Sequence, residues 1–151
     1  MSNEPSRDVL YKTAGEALHV GQVLEINVRS LIIILNRQTD ADIDADKIFL
    51  AEDKKTLGRL IEKLRLLAKS CSDTEVALST ALAARNYIAH DFFIRHNDAF
   101  TCDNAMEQAL ATLKEREKEI LIATAITSAF VQGFCQAFKM QLSDVLIRQD
   151  I

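Results

Sequence analysis

Residues 10–35 read LYKTAGEALHVGQVLEINVRSLIIIL, and the spacing within this stretch decides the fold. Small or apolar residues recur in it at alternating intervals of four and three positions, at Leu10, Ala14, Ala17, Gly21, Leu24, Val28, Leu31 and Leu35. This spacing places them along one side of an α-helix and is typical of a helix that packs lengthwise on a near-antiparallel partner. Pro5 favours a helix start nearby, and the pattern predicts a helix that continues to about Arg37.

Two further helices are predicted after a polar connection. The aspartate-rich residues 39–47 have no apolar period and are expected to form a loop. A second helix is expected over about residues 56–70, and the capping-box spacing of Ser72 and Glu75 predicts the start of a third. The positions expected to face the core are Leu57, Leu60, Ile61, Leu64 and Leu67 in the second helix and Ala77, Ala81, Ala84, Ile88 and Phe92 in the third.

A fourth helix is predicted to begin within residues 101–104, with no strong stop until near the last residue of the sequence. About 45 helical residues would extend roughly 68 Å, about twice what a compact domain of this size spans. We therefore expect either a bend within residues 124–133 or an arm that packs on a second subunit through Phe130, Phe134 and Phe138. Together these patterns predict a single all-α domain over residues 1–151, an antiparallel up-and-down four-helix bundle with a long C-terminal helix.

The composition supports a helical protein and argues against several other classes. One Pro and four Gly among 151 residues, 48% of them hydrophobic, leave little material for a turn-rich β fold. The longest unbroken apolar run, residues 31–35, is too short to span a membrane, and the N-terminus has no signal-peptide pattern, so a soluble, cytoplasmic protein without a membrane partner is expected.

The sequence shows no pattern for a metal or cofactor. Cys71, Cys102 and Cys135 are widely spaced without a C-x-x-C pair, which argues against a disulfide framework and a zinc site. Glu16 and His19 have the E-x-x-H spacing of di-iron bundles, but no second pair exists. We therefore expect neither a cofactor nor a metal.

The net charge of −4 argues against a protein that coats nucleic acid through bulk electrostatics. Locally, Lys55, Arg59 and Lys63 follow one another at intervals of four and predict a basic stripe on the second helix. Such a stripe is either a solvated face or a ridge that guides phosphate, and Arg95 would extend a basic rim. These four residues are the candidate RNA contacts.

Residues 85–90, RNYIAH, place a permanent cation, an amide and an imidazole in one short helical segment. An imidazole, with an ordinary pKa of about 6.5, can take the proton from a ribose 2′-hydroxyl, and a guanidinium can hold the phosphate as negative charge builds on it. RNA cleavage without a metal requires this combination. On a straight helix, however, residues five apart lie about 140° from each other. Arg85 and His90 therefore converge only if the helix breaks locally or if a two-fold dimer pairs Arg85 of one chain with His90 of the other.

The spacing R-x4-H, with a polar residue after the arginine, resembles the signature of the HEPN domains (higher eukaryotes and prokaryotes nucleotide-binding). Many of that family are ribonucleases of toxin–antitoxin, abortive-infection and RNA-processing systems. The resemblance implies that His90 is the general base or acid, that Arg85 stabilises the phosphate, and that Asn86 orients the RNA or the imidazole. It also implies a homodimer with the site shared at its interface, RNA as substrate, and an antitoxin or other regulatory protein as a partner.

One position departs from a branch of that family. Members paired with a nucleotidyltransferase antitoxin often carry a tyrosine two residues after the histidine, where adenylate is attached, and this chain has Phe92 there. Control by that modification is therefore not expected. The alternative function is a non-catalytic helical-bundle regulator or adaptor that acts through protein–protein contacts, and the negative net charge and Phe92 favour it.

Overall fold

The computed structural model describes residues 7–39, 44, 47 and 55–140, and within these residues the chain is all-helical. A π-helical turn at Tyr87–Asp91 joins the third helix to the fourth, and a 3-10 turn at Asn97–Phe100 precedes the fifth. The helices are α1 Arg7–Thr39, α2 Leu57–Leu67, α3 Ser72–Asn86, α4 Phe92–Arg95 and α5 Asp103–Ala137. The prediction of an all-helical chain with a long C-terminal helix is confirmed. The predicted helix start near Pro5 and most of the predicted loop over residues 39–47 lie outside the described residues.

The apolar seam predicted for α1 forms the centre of the core. Its members from Leu10 to Leu31 are buried, and Leu35 at its end is half-buried. Near that end, residues 31–34 are all buried in succession, because α1 is covered there on more than one side. The predicted core positions of α2 are correct for its first two turns, whereas Leu67 is exposed at the helix end.

The two longest helices, α1 and α5, run in the same direction. At one end the Arg7 guanidinium donates to the carbonyl of Phe100 at 3.3 Å. Further along, the Asn27 amide donates to the Ser128 hydroxyl at 2.8 Å. Beyond that, residues 31–34 share a buried cluster with Val131 and Cys135. The two helices are therefore parallel along this contact. The near-antiparallel partner expected for α1 is a helix other than α5.

The antiparallel partner of α1 is α3 with its continuation α4. Arg85 on α3 contacts Glu25, whereas the ring centroid of Phe93 on α4 lies 5.5 Å from that of Tyr11, much earlier on α1. In turn, α2 runs opposite to α3, since Gly58 lies beside Leu82 and Arg65 donates to Ser79. Thus α1, α2 and α5 share one direction and α3 has the other, so the expected alternation of an up-and-down bundle does not describe these contacts.

The start of α3 differs in detail from the predicted capping box. Cys71, one residue before Ser72, is the N-cap residue, and its thiol forms a hydrogen bond with the Thr74 hydroxyl at 3.2 Å. That hydrogen bond lowers the pKa of the Cys71 thiol. Glu75 instead accepts from Ser70 at 2.7 Å and from Arg65 at 2.6 Å, and these two donors hold the pKa of its carboxyl below the ordinary value. Glu75 therefore ties α3 to α2.

α5 is continuous through residues 124–133, where an interruption was one of the two expected outcomes. Its 35 residues extend about 50 Å. The helix needs no break because α1, with 33 residues, has nearly the same length and lies along it. The prediction of about 45 helical residues with no strong stop until near the last residue is wrong, because the helix ends at Ala137.

Two helices are long and apolar enough to cross a membrane by length and composition alone, Arg7–Gln38 and Asp103–Ala137. The most apolar window of α1 is 56% buried and that of α5 is 28% buried. Core helices of soluble proteins share these properties, so the cytoplasmic location stays a prediction.

Asn27 connects α1 to α5 through buried and partly buried hydrogen bonds, and its replacement tests the parallel contact. Its Nδ2 lies 2.8 to 3.2 Å from the Thr124 carbonyl, the Thr127 hydroxyl and the Ser128 hydroxyl, so its two hydrogens are shared among three acceptors. We expect Asn27→Ala to lower the free energy of unfolding by about 1–3 kcal/mol, because buried acceptors lose their donor. Chemical denaturation measures the change. Gln22→Ala, an exposed amide on the same helix, should change stability by less than about 0.5 kcal/mol; equal effects of the two substitutions would contradict the contact.

Candidate functional site

A π-helical turn lies inside the RNYIAH segment and widens the helix by one residue. The Phe92 amide donates to the carbonyl of Tyr87, five positions earlier, in place of the usual four. Turns of this kind are rare, and they occur frequently at functional sites. The turn begins after Arg85 and includes His90, so the helix between them is not a regular α-helix. Convergence of Arg85 and His90 on one phosphate, within one chain or across a dimer, stays a prediction.

Arg85, Asn86 and His90 line a single open hollow of about 350 Å³ within one chain. Leu82 and Asp91 complete the wall formed by α3 and the π turn. The opposite wall is the first turn of α2, formed by residues 56–58. The three residues that the sequence indicated as catalytic therefore belong to one cavity.

Arg85 is held from the side by α1. Its Nη2 lies 3.4 Å from Oε1 of Glu25, and its Nη1 donates to the Asn86 side-chain oxygen at 3.4 Å. The side chain of Arg85 is 30% exposed and that of Glu25 is 16% exposed, so this ion pair is largely shielded from water. Glu25 also lies 4.0 Å from a guanidinium nitrogen of Arg29, a buried cation on α1.

The sequence reasoning missed Gly21 and Glu25 as neighbours of the site. A Cβ atom at Gly21 would lie 3.1 Å from Cγ of Arg85, closer than side chains normally approach. Glycine in a helix interior costs roughly 0.5–1 kcal/mol relative to alanine, so its presence inside α1 was the signal that could have been followed. No comparable signal existed for Glu25, because its partner lies on another helix.

His90 and Asn86 are both exposed, and Asp91 beside them is exposed as well. An exposed imidazole can exchange protons with solvent and reach a bound ligand. Asn86 and His90 are four positions apart, and both line the hollow. The site thus offers a cation, an amide and a proton-transferring group to one ligand.

The aromatic residues after the motif pack inside their own chain. Phe92 is fully buried, with its ring centroid 4.7 Å from that of His96. Phe92 therefore belongs to the core of its own chain, as the apolar period of the third helix predicted, and is not available to a dimer interface. Phe93 is 36% exposed, and its ring contacts that of Tyr11 in a tilted arrangement. His96 is half-buried and shares a hydrogen bond of 2.9 Å with the Tyr87 hydroxyl, so it does not form an open basic rim.

The candidate RNA contacts are only partly brought together. Lys55 precedes the N-cap residue Thr56, so helical spacing relates only Arg59 and Lys63 of the predicted stripe. Arg59 is exposed and Lys63 is half-buried on α2, whose first turn forms one wall of the hollow. Arg95 is exposed at the end of α4 and is not among the residues that line the hollow.

Among residues 7–39, 44, 47 and 55–140, no group of three or more His, Cys, Asp or Glu side chains could hold a metal ion. Comparison of the chain with protein-family models, with curated proteins and with solved structures finds no match. The interpretation of the hollow therefore rests on the residues that line it.

The bond between Tyr87 and His96 links the start of the π turn to the residue after α4, and it can be tested by mutation. We expect Tyr87→Phe to lower the free energy of unfolding by about 1 kcal/mol, because His96 loses its half-buried partner. In a double-mutant cycle with His96→Ala, the coupling energy should be about 0.5–1.5 kcal/mol. Tyr11→Phe is the matched control, since that hydroxyl belongs to a 55% exposed residue. A coupling energy near zero would show that the bond does not form in solution.

Proposed function

We propose that this chain is a HEPN-like, metal-independent RNA endonuclease of toxin–antitoxin or RNA-processing type. The observation that carries the proposal is that Arg85, Asn86 and His90 line one open hollow, with a π-helical turn at Tyr87–Asp91 in the same segment. Arg85 and His90 have the spacing of the family signature, and the lining residues include a cation and an accessible imidazole. Both groups can assist the cleavage of RNA through its own 2′-hydroxyl.

In the proposed reaction the His90 imidazole takes the proton of a ribose 2′-hydroxyl. The freed oxygen attacks the adjacent phosphorus, and the bond from phosphorus to the 5′-oxygen breaks. The leaving 5′-oxygen takes up a proton from solvent or from the imidazolium. Arg85 stabilises the extra negative charge on the phosphoryl oxygens through its guanidinium fork, and Asn86 orients the RNA or the imidazole. The products are a 2′,3′-cyclic phosphate and a 5′-hydroxyl, and the reaction needs no metal.

RNA would enter over the first turn of α2, with Arg59 and Lys63 as phosphate contacts beside the hollow. Since the net charge is −4, binding would depend on these local cations rather than on the overall field. We further infer a cytoplasmic location and regulation by an antitoxin or another protein partner.

A homodimer belongs to the same proposal, and its support is the apolar surface of α5. Leu121, Ile122, Phe130 and Phe138 are each between 39% and 48% exposed. The family resemblance places the site across a dimer interface, whereas the hollow contains all three residues from one chain. Both arrangements supply Arg85 and His90 to one phosphate, and mixing experiments distinguish them.

The alternative function is a non-catalytic regulator or adaptor. One observation favours it: Arg85 is already paired with Glu25, as a purely structural arginine would be. In that case the hollow would only shape the surface around α2 and α3.

Cleavage of labelled single-stranded and structured RNA tests the proposal. His90→Ala should reduce the cleavage rate by about 10²-fold or more, since it removes the group that transfers the proton. Arg85→Lys should also be impaired, because an ammonium keeps the charge but loses the two-pronged contact. Wild-type cleavage should survive a metal chelator and leave 2′,3′-cyclic phosphate ends. The control is His19→Ala, an exposed histidine on α1, which should cleave at the wild-type rate.

Three outcomes would contradict this chemistry: unchanged cleavage in His90→Ala, loss of wild-type cleavage with chelator, or no cleavage by any form on a broad RNA panel. The last would favour the regulator. Mixing Arg85→Ala with His90→Ala protein separates the two site arrangements. Restored cleavage indicates a site shared between chains, and no restoration indicates one complete site in each chain.

A further inference from the structure

Glu25 and Gly21 lie four positions apart on α1, and both contact Arg85. The stem of Arg85 passes over Gly21, where a Cβ atom would lie 3.1 Å from Cγ of the arginine. The tip reaches Glu25, whose Oε1 lies 3.4 Å from Nη2. Residues four apart on a helix share a face, so one face of α1 receives the whole length of the Arg85 side chain.

The Arg85–Glu25 pair is of intermediate length among the ion pairs of the described residues. Arg65 and Glu75 approach to 2.6 Å and Arg116 and Glu119 to 3.0 Å, whereas Lys12 and Glu16 lie 3.9 Å apart and Arg29 and Glu25 4.0 Å. Hydrogen bonds between charged groups usually measure about 2.7–2.9 Å, so 3.4 Å is long. A contact of this length can orient a guanidinium and still release part of its charge to another anion.

Arg85 also keeps donors for a ligand. A guanidinium has five N–H groups. Within the described residues, one of them is directed to Glu25 and one to Asn86. The others can bind a phosphate in the hollow that Arg85 lines. The acceptors on Glu25 and Asn86 hold the two ends of the guanidinium, and this restricts its rotation.

We infer that Glu25 and Gly21 are positioning residues that seat the Arg85 guanidinium for phosphate stabilisation. Gly21 provides the space for the aliphatic part of the Arg85 side chain, and Glu25 sets the orientation of the Arg85 guanidinium group. Neither touches the RNA. The effect on catalysis rests on the proposed function. The contacts that position the Arg85 guanidinium are a property of the side chains, and they can be measured without any substrate.

Glu25→Gln tests the direction of the fork. Loss of the carboxylate should leave the guanidinium free to rotate, and because small misplacements of a catalytic group cost up to about 10²-fold, kcat should fall by about tenfold or more. KM should stay unchanged or fall, since a negative charge near the phosphate is removed. Glu25→Asp, which keeps the charge but shortens the reach, should recover part of kcat. The matched control is Glu16→Gln, which removes the carboxylate of an exposed ion pair with Lys12 on the same helix.

Gly21→Ala tests the space for the stem. The added methyl group should displace Arg85 and lower kcat, although alanine favours the helix. Gly15→Ala is the matched control because a Cβ atom there meets nothing within 4 Å. It should leave kcat unchanged. Circular dichroism and chemical denaturation of each variant establish that the fold is retained.

The readout that does not depend on activity is the NMR signal of the Arg85 Nε–H group, assigned by its loss in Arg85→Lys. In Glu25→Gln this signal should shift and its proton should exchange faster with water, whereas in Glu16→Gln it should stay as in the wild type. An unchanged Arg85 signal in Glu25→Gln would overturn the inference that Glu25 positions the guanidinium, whatever the activity. If the Arg85 signal changes in Glu25→Gln but the wild-type protein cleaves no RNA, the positioning role is supported and the proposed function is overturned instead. Loss of kcat with a raised KM in Glu25→Gln would show that Glu25 acts in binding and would overturn its positioning role.

Discussion

The lengthwise contact between α1 and α5 is the interaction on which the rest of the structure depends. Both helices extend about 50 Å, and neither could stay in water alone with its apolar face exposed. Leu10, Leu24 and Ile32 of α1 and Leu113 and Ile120 of α5 are fully buried, and each such side chain contributes roughly 1.5–3 kcal/mol relative to an exposed one. Asn27 fixes the register of the contact, because its three acceptors lie on one turn of α5. The remaining helices then pack on this pair.

The same helix that builds the core also builds the candidate site. One face of α1 packs on α5, and a second face receives Arg85 at Gly21 and Glu25. The position of the guanidinium therefore depends on the register of α1 in the core. This coupling explains why an arginine only 30% exposed can belong to an open hollow. Its stem is buried against α1, and its charged end lies at the wall.

Local patterns predicted the helices well, because a face that must be buried leaves a period in the sequence. The α1 seam and the core positions Ala81, Ala84, Ile88 and Phe92 of the third helix follow from that period. The period does not say which helix covers the face or in which direction it runs, so the parallel pairing of α1 with α5 was missed. Nor does it reveal the π turn, because one extra residue in a turn of mixed polarity leaves the apolar spacing almost unchanged. Arg85, Asn86 and His90 were found through residue chemistry, while Glu25 comes from a distant part of the sequence and requires the tertiary fold.

The central claim is that a single phosphate of RNA binds in the hollow, where Arg85 and His90 act on it together. A crystal structure of the protein with an RNA that carries a 2′-deoxy substitution at the cleavage point tests this most directly. We expect one phosphate within about 3 Å of the Arg85 guanidinium, with the His90 imidazole of the same chain next to the position of the missing 2′-hydroxyl. The hydrogen bond from the Phe92 amide to the Tyr87 carbonyl should remain in that complex. A phosphate bound outside the hollow would contradict the claim, whereas one held by Arg85 of one chain and His90 of another would show that the site is shared between two chains.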